Sequence, residues 1–108
     1  MIWRDLVARC DYSEINRLLS HADMGSLRRA WKGLKPMEKA VIFKLMEPRI
    51  AMDFYRQLSF SEKYFLFGAF DSGSIAPILE DLPARTRALF HRLPDAYYGE
   101  MISCLSKP

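Results

Sequence analysis

"LMEPRIAMDFYRQL", residues 45–58, opens an amphipathic helix at Pro48 and closes it on Leu58. Ile50, Ala51, Phe54, Tyr55 and Leu58 follow one another at spacings of one, three, one and three, so they share one stripe of a helix. The closing leucine has counterparts. Leu34 stands two dozen positions before it and Leu82 two dozen after it, and Leu105 follows Leu82 at an interval one shorter.

The residues between these leucines keep the same phase. Counted from each leucine, Glu38 and Glu62 fall four places in, and Glu14 does so one unit earlier, where Cys10 takes the leucine's place. Phe43 and Phe67 fall nine in, and Phe90 falls eight in, inside the shorter last unit. Four places before the closing leucines stand Ala30, Phe54, Ile78 and Met101; three before stand Trp31, Tyr55, Leu79 and Ile102; seven before stand Leu27, Ala51, Ile75 and Tyr98. Apolar character recurs at a fixed period of about 24 residues, which is the mark of a repeat array.

Each unit reads as two short helices. Lys35 precedes Pro36, which suits a first helical turn, and Glu38 then meets the positive end of the helix dipole. Ser59 and Glu62 form a capping-box pattern in which each side chain satisfies a free N–H of the other. Asp11 or Ser13 caps the helix after residue 12, and Asp23 opens the next. "DSGS", 71–74, is the clearest break, with Ser74 as the cap of the following helix and Pro77 in its first turn. Pro83 and Pro94 start the last two helices. The pattern predicts helices over 2–9, 13–20, 24–33, 36–46, 48–57, 60–70, 75–81, 84–92 and 95–105, and no strand.

A hairpin of two ten-residue helices cannot bury its apolar face alone, so neighbouring hairpins must stack. The expected fold is all-α: one domain over 1–108, with 1–19 less regular, wound as a right-handed superhelix of hairpins with exposed ends. Leu34, Phe43, Phe54, Leu58, Phe67, Ile78, Leu82, Phe90, Met101 and Leu105 are its expected repeat core. The other aromatics share the repeat phase and belong to packing; Trp3, in the irregular first helix, caps the array or packs on a further neighbour.

At 108 residues, half of them hydrophobic, the chain is long enough for one modest core and too apolar for disorder. A net charge of +3 is too small to imply nucleic acid. Cys10 and Cys104 are the only cysteines and lack metal-ligand spacing, which gives two small buried thiols in a reducing compartment. The N-terminus lacks the apolar centre of a signal peptide, and "YFLFGAF", 64–70, is far shorter than the ~20 residues that span a bilayer. The expected location is the cytosol.

"LMEPRIAMDFYRQLSFSEKYFLFGAF" resembles the intracellular N domain of MgtE-type magnesium transporters. Pro48, Arg49, Ala51, Phe54, Leu58, Ser61 and Glu62 stand where that family has its L-P-P-E-R-A-A-E-V-F-x-x-L-x-P-E-E pattern. "SHADMGSLRRAWKGL", 20–34, is similar to the family's H-P-A-D-I-A opening through His21, Ala22, Asp23 and Leu34. The likeness runs over about 20–105, and FliG-type motor-switch proteins share the helical superhelix.

The resemblance implies a regulatory domain on the cytosolic face of the inner membrane. It would dock on CBS domains and a membrane channel of the same transporter, with Mg²⁺ bound between acidic faces and a homodimer formed through the full protein. Asp53 matches a position that is often acidic in the family and is the metal-ligand candidate; Mg²⁺ is not required for the fold. Where family members carry aspartates after Leu82, this chain has Arg85, Thr86, Arg87 and Leu89. The alternative is a stand-alone FliG-like interaction module without metal sensing.

Other constellations point to simpler readings. Glu14, Glu38 and Glu62 could make a carboxylate ladder but read first as helix-start acids. Asp53 with Glu47, and Glu80 with Asp81, are surface pairs that would hold Mg²⁺ weakly, because the ion keeps most of its waters. His21 and His91 are far apart along the chain, and neither has a companion ligand nearby. No GxSxG elbow or glycine-rich phosphate loop occurs, so no enzyme is expected. Arg28, Lys32, Lys35 and Lys39, with Arg29 beside them, are spaced as a basic face that Pro36 interrupts; phosphates, anionic lipid or an acidic partner suit it, and nucleic-acid motifs are absent.

Overall fold

The helices that open the sequence units start in strict phase. A computed structural model describes residues 2–21, 24–71, 76–91 and 95–106, without the side chains of 21, 69–71 and 106. Its elements are α1 (Ile2–Ala8), α2 (Tyr12–His21), α3 (Met24–Ala30) with a 3₁₀ turn (Trp31–Gly33), α4 (Pro36–Leu45) and α5 (Pro48–Arg56). Next come α6 (Phe60–Asp71), α7 (Ala76–Glu80), α8 (Ala84–Arg87) and α9 (Asp95–Ser106). Helices α2, α4, α6 and α8 begin at Tyr12, Pro36, Phe60 and Ala84, each two dozen positions after the last. The described residues are all-helical, with no strand. Ala22, Asp23, Ser74 with its neighbours 72–75, and Pro94 lie outside the described residues, as do the side chains of His21 and Phe70.

Local chemistry sets those starts. Before α2 the Asp11 carboxylate accepts the Glu14 N–H at 3.3 Å, so Asp11 rather than Ser13 is the cap. Before α4 the Glu38 carboxylate accepts the Lys35 N–H at 2.6 Å. Before α6 the Ser59 hydroxyl accepts the Glu62 N–H at 3.4 Å, but the Glu62 carboxylate turns to the Lys39 ammonium at 2.6 Å. Half of the predicted capping box therefore forms, because a charged partner outcompetes a neutral N–H.

The core is densest in the first half. Trp3 and Leu6 of α1 meet Tyr12, Ile15 and Leu19 of α2, and Leu27 and Trp31 belong to the same buried cluster. Trp3 is thus a core residue of this chain, where a cap or a contact with a further neighbour was expected. Helix α4 is buried almost all round through Ala40, Val41, Ile42, Phe43 and Leu45, which makes it the central helix. Of the predicted repeat core, Leu34, Phe43, Phe54 and Met101 are buried. Leu58, Phe67, Ile78, Leu82 and Phe90 are half-buried against that centre, and Leu105 is half-buried.

Three features depart from the sequence reading. The helix predicted over 84–92 ends at Arg87. Leu89 and Phe90 donate to carbonyls only three places back, Thr86 and Arg87, and the His91 N–H is taken by the Lys44 carbonyl at the end of α4, at 2.8 Å. That distant acceptor replaces the helical one and turns the chain. Cys10 is exposed and Cys104 half-buried, where two buried thiols were expected. Cys10 adopts φ 56° after α1, and Asp11 and Cys10 donate to Leu6 and Val7, a left-handed helix ending that leaves the side chain in solvent.

The third departure concerns the ends. In an open stack each hairpin meets only its neighbours. Here the Tyr12 ring in the first unit meets the Phe90 ring in the last, edge to face at 5.2 Å. The chain's radius of gyration, 13.3 Å, matches the ~13 Å of a compact domain of this length. The first and last units therefore touch, a contact that the reading of a stack with exposed ends did not include.

Candidate docking surface

Helix α5 separates its two faces cleanly. Ala51, Met52, Phe54 and Tyr55 point inward, while Arg49, Asp53, Arg56 and Gln57 lie toward solvent. Phe54 is fixed by the Trp31 indole, edge to face at 4.8 Å, and that contact sets the angle of α5 against the end of α3. Between α5 and the α2–α3 region runs a groove of about 250 Å³. Leu19, Met24, Ile50 and Phe54 give it an apolar floor, and Ser20, Arg28, Asp53 and Gln57 form the polar rim. The α5 residues at 50, 53 and 54, with Gln57 capping the helix, are one helical stripe, so the phase of α5 builds this wall.

Charge on the rim is balanced. Arg56 holds Asp53 through Nη1 at 2.8 Å and reaches Glu100 on α9 through Nε at 2.6 Å. The hydrogen bond with Glu100 is the main reason that the Arg56 pKa is pushed up, with Asp53 adding to it. Arg28 lines the opposite side with no ion pair among the described residues.

Asp53 does not fit a resident magnesium site of this chain by itself. Mg²⁺ needs carboxylate oxygens or ordered waters in octahedral array. Asp53 offers one exposed carboxylate already engaged by Arg56, and among the described residues no three His, Cys, Asp or Glu side chains gather to hold a metal. Glu47 precedes the first turn of α5, and Glu80 and Asp81 are exposed at the end of α7.

The recurring glutamates each face a cation. Glu14 pairs with Arg17 at 2.8 Å, Glu38 with Arg4 at 3.4 Å and Glu62 with Lys39 at 2.6 Å. The hydrogen bond from Arg17 holds the Glu14 carboxyl below its ordinary pKa. A ladder of carboxylates exists in register, but as ion pairs. Lys39 is therefore not part of an open basic face: its ammonium lies over the Trp31 ring, 5.8 Å from the centroid, as well as on Glu62. The extended backbone at Leu34 and Lys35 divides the predicted basic stripe between two elements. His91 is engaged through its backbone.

The Arg56–Glu100 link was not legible in the sequence, because its partners lie 44 residues apart with no local signal joining them. The Tyr55–Met101 bond was similarly hidden, 46 residues apart, although both residues stood in the repeat phase. No helix among the described residues is long and apolar enough to cross a membrane. Set against protein-family models, curated proteins and solved structures, the chain finds no match in any of the three comparisons.

Proposed function

We propose that this chain is a protein-docking domain of the MgtE N-domain kind, the regulatory part of a magnesium transporter. It acts by surface contact with CBS and membrane domains and performs no chemistry of its own. Its architecture is a right-handed superhelix of hairpins, each about 24 residues long, wound tightly enough for the fourth unit to return over the first.

The observation that carries this reading is the constant interval between the helix starts at Tyr12, Pro36, Phe60 and Ala84. Contacts between successive units support it: Trp31 packs on Phe54, and Lys39 pairs with Glu62. The α5 groove supplies the docking face, and CBS-domain surface of the same protein is its occupant. A partner for that face needs an apolar ridge for the floor and both signs of charge for the rim. Magnesium enters only at the contact, where a carboxylate of the partner joins Asp53 to complete the oxygen set.

The reading frame beyond Pro108 tests this. Continuation into CBS-like βα units and apolar runs of ~20 residues supports the transporter reading. A frame that ends there sinks it and leaves the FliG-like interaction module, for which partner capture becomes the experiment.

A further inference from the structure

Three of the five large apolar side chains most exposed among the described residues stand at one end of the molecule. Phe60 is 55% exposed, Tyr64 66% and Met37 45%. Helices α4 and α6 start side by side at this end, since Pro36 and Lys39 share a shallow groove with Ser61, Glu62 and Phe65. Phe60 and Tyr64 are one helical turn apart on the outer face of α6, their ring centroids separated by 6.4 Å. Two aromatic rings held in solvent lose the burial that such rings ordinarily contribute, so their position calls for a surface that covers them.

The charges around them have a sign. The carboxylates in the first turns of α4 and α6 are spoken for, Glu38 by Arg4 and the Lys35 N–H, Glu62 by Lys39. Lys32 and Lys35 are exposed and Lys63 half-buried, and none forms an ion pair among the described residues. The surface is cationic because its anions are neutralised internally.

We infer that this end of the α4–α6 pair, through Met37, Phe60 and Tyr64 with Lys32, Lys35 and Lys63, binds an anionic lipid bilayer surface. Phenylalanine and tyrosine rings settle at headgroup depth, and lysine ammoniums are drawn to anionic lipid within a Debye length. Met37, Phe60 and Tyr64 project from the starts of their helices and do not line the groove between them, which suits a deformable interface better than a protein ridge. The surface lies apart from the α5 groove and does not depend on the transporter reading.

Cosedimentation with vesicles tests the inference directly. One set is equimolar phosphatidylglycerol and phosphatidylcholine, and the other is phosphatidylcholine alone. The wild-type chain is expected to sediment with the first and not the second, and to be released as salt rises. The pair Phe60→Ser and Tyr64→Ser lowers affinity about tenfold or more, and Lys35→Glu with Lys63→Glu abolishes the preference for anionic lipid. Ile2→Ser, at a residue 54% exposed in α1, leaves binding unchanged. Circular dichroism melts verify that each variant is folded. Equal partition onto both vesicle sets, no vesicle binding with capture by polyglutamate instead, or folded double variants that bind as wild type would each overturn it.

Discussion

The Tyr55 hydroxyl donates a buried hydrogen bond to the Met101 carbonyl at 3.2 Å and so ties α5 to α9. Both residues are buried, and the bond joins the second sequence unit to the last. Tyr55→Phe keeps the ring's packing and removes the donor. It should cost about 1 kcal/mol, read as a lower denaturant midpoint with unchanged slope.

The same tyrosine gives the protein an alkaline limit. Burial pushes the phenols of Tyr12 and Tyr55 up to about 12 from 10.0. The folded state then holds protons that the unfolded chain releases between pH 10 and 12. Stability from this source is complete below pH 10 and is lost as pH rises toward 12. Urea midpoints measured across that window should fall steeply, and the fall should be shallower in Tyr55→Phe.

Cys10 occupies a left-handed ending that glycine fills without strain. Its φ of 56° costs a residue bearing a Cβ about 1 kcal/mol or more, part of which glycine returns through greater freedom in the unfolded chain. Cys10→Gly should raise stability by about 0.5 kcal/mol, and Cys10→Val should lower it by more than that. Differential scanning calorimetry reads both as shifts in Tm.

Lys39 and Glu62 form a mostly buried ion pair, their side chains 13% and 21% exposed. Lys39→Ala leaves the Glu62 carboxylate without its cation and should cost about 2 kcal/mol. Replacing both partners, Lys39→Met with Glu62→Gln, should recover much of the loss, because no charge is then left half-buried. A double-mutant cycle on urea midpoints checks this.

Phe54 is buried, 2% exposed, against the Trp31 ring. Phe54→Ala should cost about 3–5 kcal/mol, a large share of the stability of a domain this size. Leu105→Ala, at a half-buried position of the same repeat series, should cost clearly less. Chemical denaturation of the two variants side by side separates the interior of the core from its margin.

What could be read from the chain and what could not divide along contact distance. The phase of Glu14, Glu38 and Glu62 announced the starts of α2, α4 and α6, because capping acts over three or four places along the chain. Pro36 and Pro48 marked helix starts for the same reason. The end of α8 was hidden because the Lys44 carbonyl that captures His91 lies far back along the chain. The meeting of Tyr12 with Phe90 was hidden too, since periodicity places residues on faces but does not say which distant helices meet. Asp53 was legible as an exposed acid on α5, one turn before Arg56; the sharing of that arginine with Glu100 needed the tertiary structure. The break in the basic run from Arg28 to Lys39 was legible, because Pro36 interrupts the face and drives Lys35 before it to extended backbone.

Hydrogen exchange of the natural full-length protein, with and without Mg²⁺, addresses the docking reading most directly. Amides of α3 and α5 that border the groove, over 24–30 and 49–56, should gain protection when Mg²⁺ is added, and Asp53→Asn should reduce that gain. Unchanged exchange along both helices at saturating Mg²⁺ would contradict a magnesium-dependent docking role for this face.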